Sequence, residues 1–408
     1  MVTSPDPQLL LSQAQTRLPE MTALVQELVR IPSVNGRDPE TAVAERISAA
    51  ARALGLDAEL VGTQPNRQNV LAQWGSGPAG FAVIAHIDTV SEGAAEAWSA
   101  PPFGAEVRGS RLLGRGAADN KAGIVCGLYA LALLRDSGLL DPTRARLTVA
   151  GVVDEESGAS SPHGVRYLLD QGRLSAARGA IYAYTSDIIC IGHRGLLRLL
   201  LKAEGRAVHT GSAEWSQGQV GVNAVTGLAA VLLRLEAREI SAPAHPAFEG
   251  LGCRVTPGTI FRGGEFESMV PARAEALVDV RLMPGQPAES VLAAVREAIT
   301  AETALRPGLK VEVEIKNNLP GVALDPDHRL VTAARRWTRV ITGQEWQAAG
   351  AGPANEGYML IQAGIPTLCG FGPTGGGAHA PDEWVELDSL PRTVAMFAGI
   401  IHEIVATD

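Results

Sequence analysis

The chain has 408 residues, 46% of them hydrophobic, and its 44 acidic and 35 basic residues give a net charge of −9. This length is more than one hydrophobic core usually serves, so we expect two domains. A mildly acidic chain without a clustered basic stripe argues against a nucleic-acid partner.

Strand and helix patterns alternate over the first half of the chain. Apolar spacing predicts a helix over roughly 8–30, which stops at Pro32, and a second helix over 42–55, with Gly55 as its C-cap. Strands NVLAQW and FAVIAHI follow, then a buried helix over 121–138, strand ARLTVAGVV, helix HGVRYLLDQG and strands ARGAIYAY and IICIGHRG. This order predicts an α/β fold with a mostly parallel sheet flanked by helices.

The pattern changes after Gly195. Strand LLRLLLKAEG, helix GVNAVTGLAAVLLRLEARE, strands TPGTIFRGG and ARAEALVDVRLMPG, helix ESVLAAVREAITAETA and strand LKVEVEI follow in the order β-α-β-β-α-β. We therefore predict an inserted ferredoxin-like α+β domain over 195–316. The first domain, 1–194 and 317–408, resumes with a helix over 327–342, strand IPTLCGF and a closing helix from Pro391.

The compartment is predicted from what the sequence lacks. Residues 1–15 have no basic segment followed by an apolar core, as a secretory signal would. No run approaches the roughly 20 apolar residues of a membrane span. We expect a cytoplasmic protein without a membrane segment.

Candidate metal ligands stand where apolar runs end, and they are His86 and Asp88 in FAVIAHIDTV, Asp119 in GRGAADNKAG, Glu155 and Glu156 in LTVAGVVDEESG, and His379 in GGGAHAPDEW. Residues two apart in a strand point the same way, so Asp88 could orient the His86 imidazole. Ligands of open α/β sheets gather beyond the carboxyl ends of the strands. Imidazole and carboxylate are the usual ligands of a catalytic zinc, and a free glutamate beside them could take a proton from water.

Each candidate alone has a more ordinary explanation. Adjacent acids such as Glu155 and Glu156 usually form a solvated turn, and a single histidine at a strand end is more often structural. Their joint occurrence favours a metal-dependent hydrolase. The glycine motifs GSGPAG and GFGPTG lack the strand-then-helix context of a dinucleotide site, and no G-x-S-x-G nucleophile motif is present.

These motifs resemble a known family of enzymes. The segments RIPSVNG, AHIDTV, GRGAADNKAG, DEESGA, GHRG, AVHTGSA, GVNAV, VDVRLMPG and AHAPDEWVEL are similar, nearly end to end, to the zinc amidohydrolases and metallopeptidases that include acetylornithine deacetylase, succinyl-diaminopimelate desuccinylase, aminoacylase and carboxypeptidase G. The resemblance implies a zinc-peptidase-like catalytic domain that binds metal. It also implies that the inserted domain acts as a lid and forms the contact of a homodimer.

The resemblance implies a role for each matched residue of the catalytic domain. His86 would bind a first metal ion, and Asp119, followed by a cis peptide bond, would bridge two metal ions. Glu156 and His379 would bind the second ion, and Glu155 would be the general base.

In the inserted domain, the resemblance implies that His209 reaches into the active site of the partner subunit and stabilises the oxyanion. Asn223 and Arg281 would lie near the substrate, where Arg281 could grip a carboxylate in bidentate fashion.

One departure from the family pattern concerns the first metal. A further carboxylate ligand should end the strand GAIYAY, but Ala183 and Tyr184 stand there. Asp187 is the nearest acid, and it could serve only if its turn were rearranged. We therefore predict one firmly held Zn²⁺, which Co²⁺ or Mn²⁺ could replace, and a second site that is weak, absent or completed by water. The segment GAGPANEGY matches the family pattern too loosely for a role to be transferred to Glu356.

The sequence thus predicts an amidohydrolase in which metal-activated water attacks the amide bond of an N-acyl amino acid or short peptide, with Glu155 as base. A dipeptidase or carboxypeptidase of the same family is an alternative, since both reactions break an amide beside a carboxylate. A degenerate member that only binds a ligand is another, favoured by the missing carboxylate and opposed by the presence of Glu155 and His209.

Overall fold

A computed structural model of the protein describes residues 5–406. Its helices are α1 (Pro7–Thr16), α2 (Leu18–Arg30), α3 (Thr41–Ala53), α4 (Ala122–Ser137), α5 (Val165–Asp170), α6 (Ala213–Ser216), α7 (Ala224–Glu236), α8 (Ala288–Leu305), α9 (Arg329–Thr342), α10 (Gly357–Gln362) and α11 (Ser389–Ala406). Its strands are β1 (Asp57–Gln64), β2 (Arg67–Trp74), β3 (Ala79–His86), β4 (Glu106–Arg108), β5 (Arg111–Leu113), β6 (Ala145–Val152), β7 (Ala177–Tyr182), β8 (Ile189–His193), β9 (Gly195–Glu204), β10 (Arg254–Gly263), β11 (Arg273–Leu282), β12 (Lys310–Leu319), β13 (Val322–Ala323), β14 (Ala348–Ala351), β15 (Thr367–Leu368), β16 (Gly375–Gly376) and β17 (Trp384–Glu386).

The chain divides into two compact units. Unit 1 comprises Met1–Gly192, Ala323–Gly350 and Asn355–Asp408, and unit 2 comprises His193–Val322 and Ala351–Ala354. The predicted boundary at residue 316 falls inside β12. A shift in register between Ile315 and Asn317 lets this strand continue through the polar segment that ends it in the sequence pattern.

The main sheet of unit 1 has six strands in the order β1-β2-β6-β3-β7-β15. Its pairings β6–β3, β3–β7 and β7–β15 are parallel, whereas β1–β2 and β2–β6 are antiparallel. The sheet is therefore mixed, with parallel pairings in the majority as predicted. The sequence pattern missed β1, whose partly exposed residues show no clear apolar run. In contrast, β3 is buried along its whole length, as expected for a central parallel strand.

Helices cover this sheet, and the most apolar of them is α4. It contacts β3, β6 and α11, and its residues from Ala122 to Leu134 are buried as predicted. Among the described residues, the helical run Ala117–Ser137 is long and apolar enough to cross a membrane, but its apolar window is 100% buried. A core helix of a folded domain has the same composition.

The predicted N-terminal helix over 8–30 is in fact two helices. They are separated at Arg17, whose backbone angles (φ −99°, ψ 6°) are not helical. Pro19 stands in the first turn of α2, where its missing N–H is tolerated, whereas within a continuous helix it would interrupt the hydrogen bonding.

Three parallel strands of unit 1 end at the same edge of the sheet. His86 is the last residue of β3, the Glu155–Ser157 turn follows β6, and Tyr184 is the second residue after β7. A separate four-stranded sheet, β16-β17-β5-β4, contains a hairpin whose turn carries His379. The fold thus holds candidate ligands at the end of a strand and on turns between rigid elements.

Unit 2 is built on an antiparallel sheet in the order β10-β11-β9-β12. Helices α7 and α8 pack against each other, and both contact strands of this sheet. Alternate residues of β11 face the core that lies between these helices and the sheet, namely Ala274, Ala276, Val278, Val280 and Leu282. The observed β-α-β-β-α-β order agrees with the sequence pattern over this segment.

Close packing at Gly123, in the first turn of α4, yields a first prediction. A Cβ atom at this position would lie 2.1 Å from the Ala183 carbonyl oxygen and 2.6 Å from Asn120 Oδ1. We expect Gly123→Ala to lower the free energy of unfolding by about 1–3 kcal/mol, because overpacking outweighs the better helix propensity of alanine. Urea unfolding measures this.

Gly252→Ala is the matched control, since a Cβ at Gly252 meets no atom within 4 Å. A Gly123→Ala variant as stable as the wild type would contradict the prediction.

Candidate metal centre

Two groups of potential ligands meet at the sheet edge of unit 1. One ligand atom from each of Asp119, Glu156 and His379 lies within 4.8 Å of the other two. His86, Glu155 and Glu156 form a second group by the same measure. All five residues were predicted from the sequence, so the structure brings the predicted ligands and the predicted base together.

His86 is fully buried and lies between two aspartates. Its Nε2 is 2.7 Å from Asp119 Oδ1, and its Nδ1 is 3.0 Å from the Asp88 carbonyl oxygen and 3.6 Å from Asp88 Oδ1. A carbonyl oxygen only accepts, so Nδ1 is the donor, which directs Nε2 towards Asp119. Burial alone would lower the pKa of His86, but Asp119, Asp88 and Glu155 outweigh it and raise that pKa well above its usual value.

The Asp88 carboxylate holds the turn that carries the two glutamates. It accepts hydrogen bonds from the backbone N–H groups of Glu155 at 3.2 Å and Glu156 at 3.0 Å. Asn35, from the RIPSVNG segment, donates its amide to Asp88 at 2.8 Å and to Asp154 at 2.8 Å. Asp88 therefore orients the imidazole chiefly through its backbone, and its side chain positions Glu155 and Glu156.

Glu155 is buried among other acids. Burial raises the pKa of Glu155 to about 8, and the charges of Glu156, Asp119 and Asp88 act in the same direction against His86. A carboxylate with a pKa near neutrality can take a proton from water and return it at the same pH.

His379 approaches the acids from the hairpin between β16 and β17. Its Nε2 lies 3.1 Å from Glu156 Oε1 and 3.3 Å from Asp119 Oδ2. Hydrogen bonds to Asp119 and Glu156 raise the pKa of His379 to about 10. The acids thus attract positive charge strongly, and a set of carboxylates and imidazoles suits a divalent cation such as Zn²⁺.

The turn that carries Asp119 is fixed by a buried carboxylate. Glu383 accepts the backbone N–H groups of Gly116, Ala118 and Asp119 at 2.9–3.0 Å, and Arg115 donates to it at 2.7 Å. The peptide bond after Asp119 is cis.

A lysine ties the same turn to the N-terminal helices. Lys121 Nζ donates to the carbonyl oxygens of Leu28 and Ile31, both at 2.9 Å. Burial lowers the pKa of Lys121 to about 7.

Comparison with known proteins identifies the family. Residues 82–403, more than half of the chain, match the model of peptidase family M20/M25/M40. The chain belongs to this family. The resemblance drawn from the motifs is therefore confirmed.

Relatives of this M20 chain are similar to it over most of their length. A succinyl-diaminopimelate desuccinylase from Methylorubrum extorquens is 26% identical over 393 residues, covering 93% of this chain and 97% of that protein. An acetylornithine deacetylase from Vibrio campbellii is 25% identical over 389 residues, covering 93% and 97%. The M20 family metallo-carboxypeptidase Sso-CP2 from Sulfolobus solfataricus shares the fold, with a TM-score of 0.76 at 18% identity over 95% of this chain and all of that one.

Tyr184 is a residue of this M20 site that the sequence pattern did not assign. Its hydroxyl donates to Asp119 Oδ2 at 2.5 Å, and its ring is tilted towards His86 with centroids 6.4 Å apart. Asp187, considered as a substitute ligand, is exposed and belongs to neither ligand group of the described residues. The signal that could have revealed Tyr184 is its place just beyond a parallel strand that neighbours β3.

The three residues expected to act from the inserted domain lie in unit 2. His209 is exposed, and its Nδ1 accepts the N–H of Gly211 at 3.0 Å. Asn223 caps α7 by accepting the N–H of Thr226 and lines a cleft of about 810 Å³. Arg281 donates through Nε to Asp279 at 2.9 Å.

The buried pair of Glu383 and Arg115 yields a second prediction. Glu383→Gln leaves a guanidinium that is only 1% exposed without its counter-charge, so we expect the free energy of unfolding to fall by about 3–5 kcal/mol. Weaker contacts between residue 383 and the turn that carries Asp119 should also weaken metal binding, because Asp119 is then less well held. Thermal unfolding and zinc titration measure the two effects.

Glu106→Gln is the matched control. Glu106 accepts from Arg108 at the same distance of 2.7 Å, but both side chains are more than 40% exposed. Exposed pairs contribute little, so this variant should melt as the wild type does. Equal melting of the two variants would refute the stabilising role of Glu383.

Proposed function

We propose that the protein is a zinc-dependent hydrolase that cleaves the amide bond of a small N-acyl amino acid. The observation that carries this proposal is the position of Glu155. It lies in one ligand group with His86 and Glu156, beside the second group of Asp119, Glu156 and His379. A buried free carboxylate among ligands is what general-base hydrolysis requires.

The roles of the residues follow from their chemistry. Asp119, Glu156 and His379 would hold the tightly bound cation, and His86 would be a ligand of a second, weaker position beside it. A divalent cation at this position supplies Lewis acidity, which polarises a carbonyl oxygen and lowers the pKa of a water molecule. Glu155 would accept a proton from the attacking water and pass it to the leaving nitrogen, while Asp88 keeps the Glu155–Glu156 turn in place.

The substrate class is suggested by the names of the relatives. A desuccinylase of succinyl-diaminopimelate and a deacetylase of acetylornithine, by their names, both remove an acyl group from an amino acid. A carboxypeptidase with the same fold keeps peptide hydrolysis as a second candidate. Both reactions break an amide beside a carboxylate.

Unit 2 is proposed to act as a lid and to form a homodimer contact. The Nδ1 atom of His209 accepts a hydrogen bond, so the proton of its neutral form resides on Nε2. That N–H is suited to stabilise an oxyanion, and we assign this task to His209 of the partner subunit. Arg281 keeps guanidinium N–H groups beyond its Nε contact that could bind a substrate carboxylate, and Asn223 would lie nearby. The proposed compartment is the cytoplasm.

Removal of the base gives a third prediction. Glu155→Gln should lower kcat by about 10²- to 10⁴-fold, because the amide cannot accept the proton of water. Zinc content should stay at the wild-type level, since the four proposed ligands are intact. Steady-state kinetics and metal analysis of the same preparation measure this.

Asp187→Asn is the matched control, an equal change at an exposed acid outside both ligand groups. It should leave kcat unchanged. Near-normal turnover by Glu155→Gln would remove Glu155 from the role of base.

A substrate screen tests the function itself. N-acetyl amino acids, N-succinyl amino acids and dipeptides are each offered with Zn²⁺, Co²⁺ or Mn²⁺, and we expect the highest kcat/KM on an N-acyl amino acid. A preference for dipeptides would favour the peptidase. If no compound is hydrolysed with any metal, the protein is a binding member of its family and the proposal fails.

A further inference from the structure

Tyr184 lies next to the metal centre, just beyond the end of β7, where the family resemblance implies a further carboxylate. Its hydroxyl donates to Asp119 Oδ2, the carboxylate that also contacts His86 and His379. Its main chain is closely packed, since a Cβ atom at Gly372 would lie 2.8 Å from the Tyr184 carbonyl oxygen. Packing thus fixes the backbone of Tyr184, and the hydrogen bond fixes its phenol against Asp119.

The potential ligands around Asp119 suffice for one ion but not for two. Asp119, Glu156 and His379 make one complete set of three. A second ion could be bound by His86 and the shared Asp119. Its third ligand would have to be Glu155 or Glu156, the other members of the group that contains His86. Using Glu155 would remove the proposed base, and Glu156 already belongs to the first set.

A phenol differs from a carboxylate in what it offers to Asp119. A phenol hydroxyl donates a hydrogen bond, and its acceptor here is Asp119 Oδ2. It thus neutralises part of the charge of Asp119 and fixes its orientation, but it adds no negative charge for a second cation.

We propose that Tyr184 is a positioning residue that limits this centre to one tightly bound metal ion. The hydroxyl orients Asp119 for the ion that Asp119 would bind together with Glu156 and His379. The phenol also occupies the place that a charged ligand of a second ion would need. This inference rests on the metal centre proposed above, but it is tested by metal binding and not by turnover.

The first test removes the hydroxyl alone. Wild-type protein stripped with chelator and dialysed against buffered Zn²⁺ should retain about one zinc per chain. Tyr184→Phe should still bind one zinc, with an affinity weaker by about 10- to 100-fold, as is usual when a hydrogen-bond partner of a metal ligand is lost. The absorption spectrum of the Co²⁺-loaded protein gives a second readout of the ligand geometry.

Tyr182→Phe is the matched control. Tyr182 is the last residue of β7, it is fully buried, and its hydroxyl has no hydrogen-bond partner. The same chemical change there should leave zinc affinity and the Co²⁺ spectrum as in the wild type.

The second test restores a charge. Tyr184→Glu should raise the number of tightly bound zinc ions from about one to about two per chain. Thermal unfolding of the metal-free variant shows whether it folds, and if it does not, Tyr184→Phe decides alone.

Two outcomes would overturn the inference. Two tightly held zinc ions in the wild type would show that Tyr184 does not limit the centre. Equal zinc affinity of Tyr184→Phe and the wild type would show that the hydroxyl does not position Asp119. A protein that binds one zinc as expected but hydrolyses nothing would leave this inference intact and overturn the proposed function instead.

Discussion

Repulsion between closely packed carboxylates is the constraint on which the rest of this structure depends. Four carboxylates converge at one edge of the sheet, namely those of Asp88, Asp119, Glu155 and Glu156. Glu383, which precedes β17, contacts the turn that carries Asp119. Backbone amides satisfy Asp88, and amides together with a buried guanidinium satisfy Glu383. Imidazole and phenol groups surround Asp119. The charge left over is what attracts a cation.

Most of the fold follows from apolar patterning, and its failures have local causes. Strand β3 and helix α4 are apolar throughout, so their type and burial could be read directly from the sequence. The alternation in β11 identifies one buried face in the same way. Strand β1 is half exposed and has no such signal, and a bulge near Lys316 hides the continuation of β12.

The candidate site divides along the same line. His86 and Glu155 could be found because one ends a recognisable strand and the other stands just beyond one, and the family pattern then associated them with Asp119 and His379. Their hydrogen-bond partners could not be found in this way. Glu383 lies 264 positions from Asp119 in the chain, and Tyr184 lies 65 positions from it. Contacts over such separations are set by packing, and no periodicity in a single sequence encodes them.

The link between Lys121 and α2 has a consequence for where the functional domain begins. The family match starts at residue 82, yet the carbonyl groups of Leu28 and Ile31 hold Lys121, two residues beyond Asp119. Asn35 likewise bonds to Asp88, which carries the glutamate turn. Helix α2 and the segment that follows it are therefore part of the scaffold of the centre, although they lie outside the family match. The folding of this segment and the positioning of the ligands are thermodynamically linked. Stabilising either one stabilises the other.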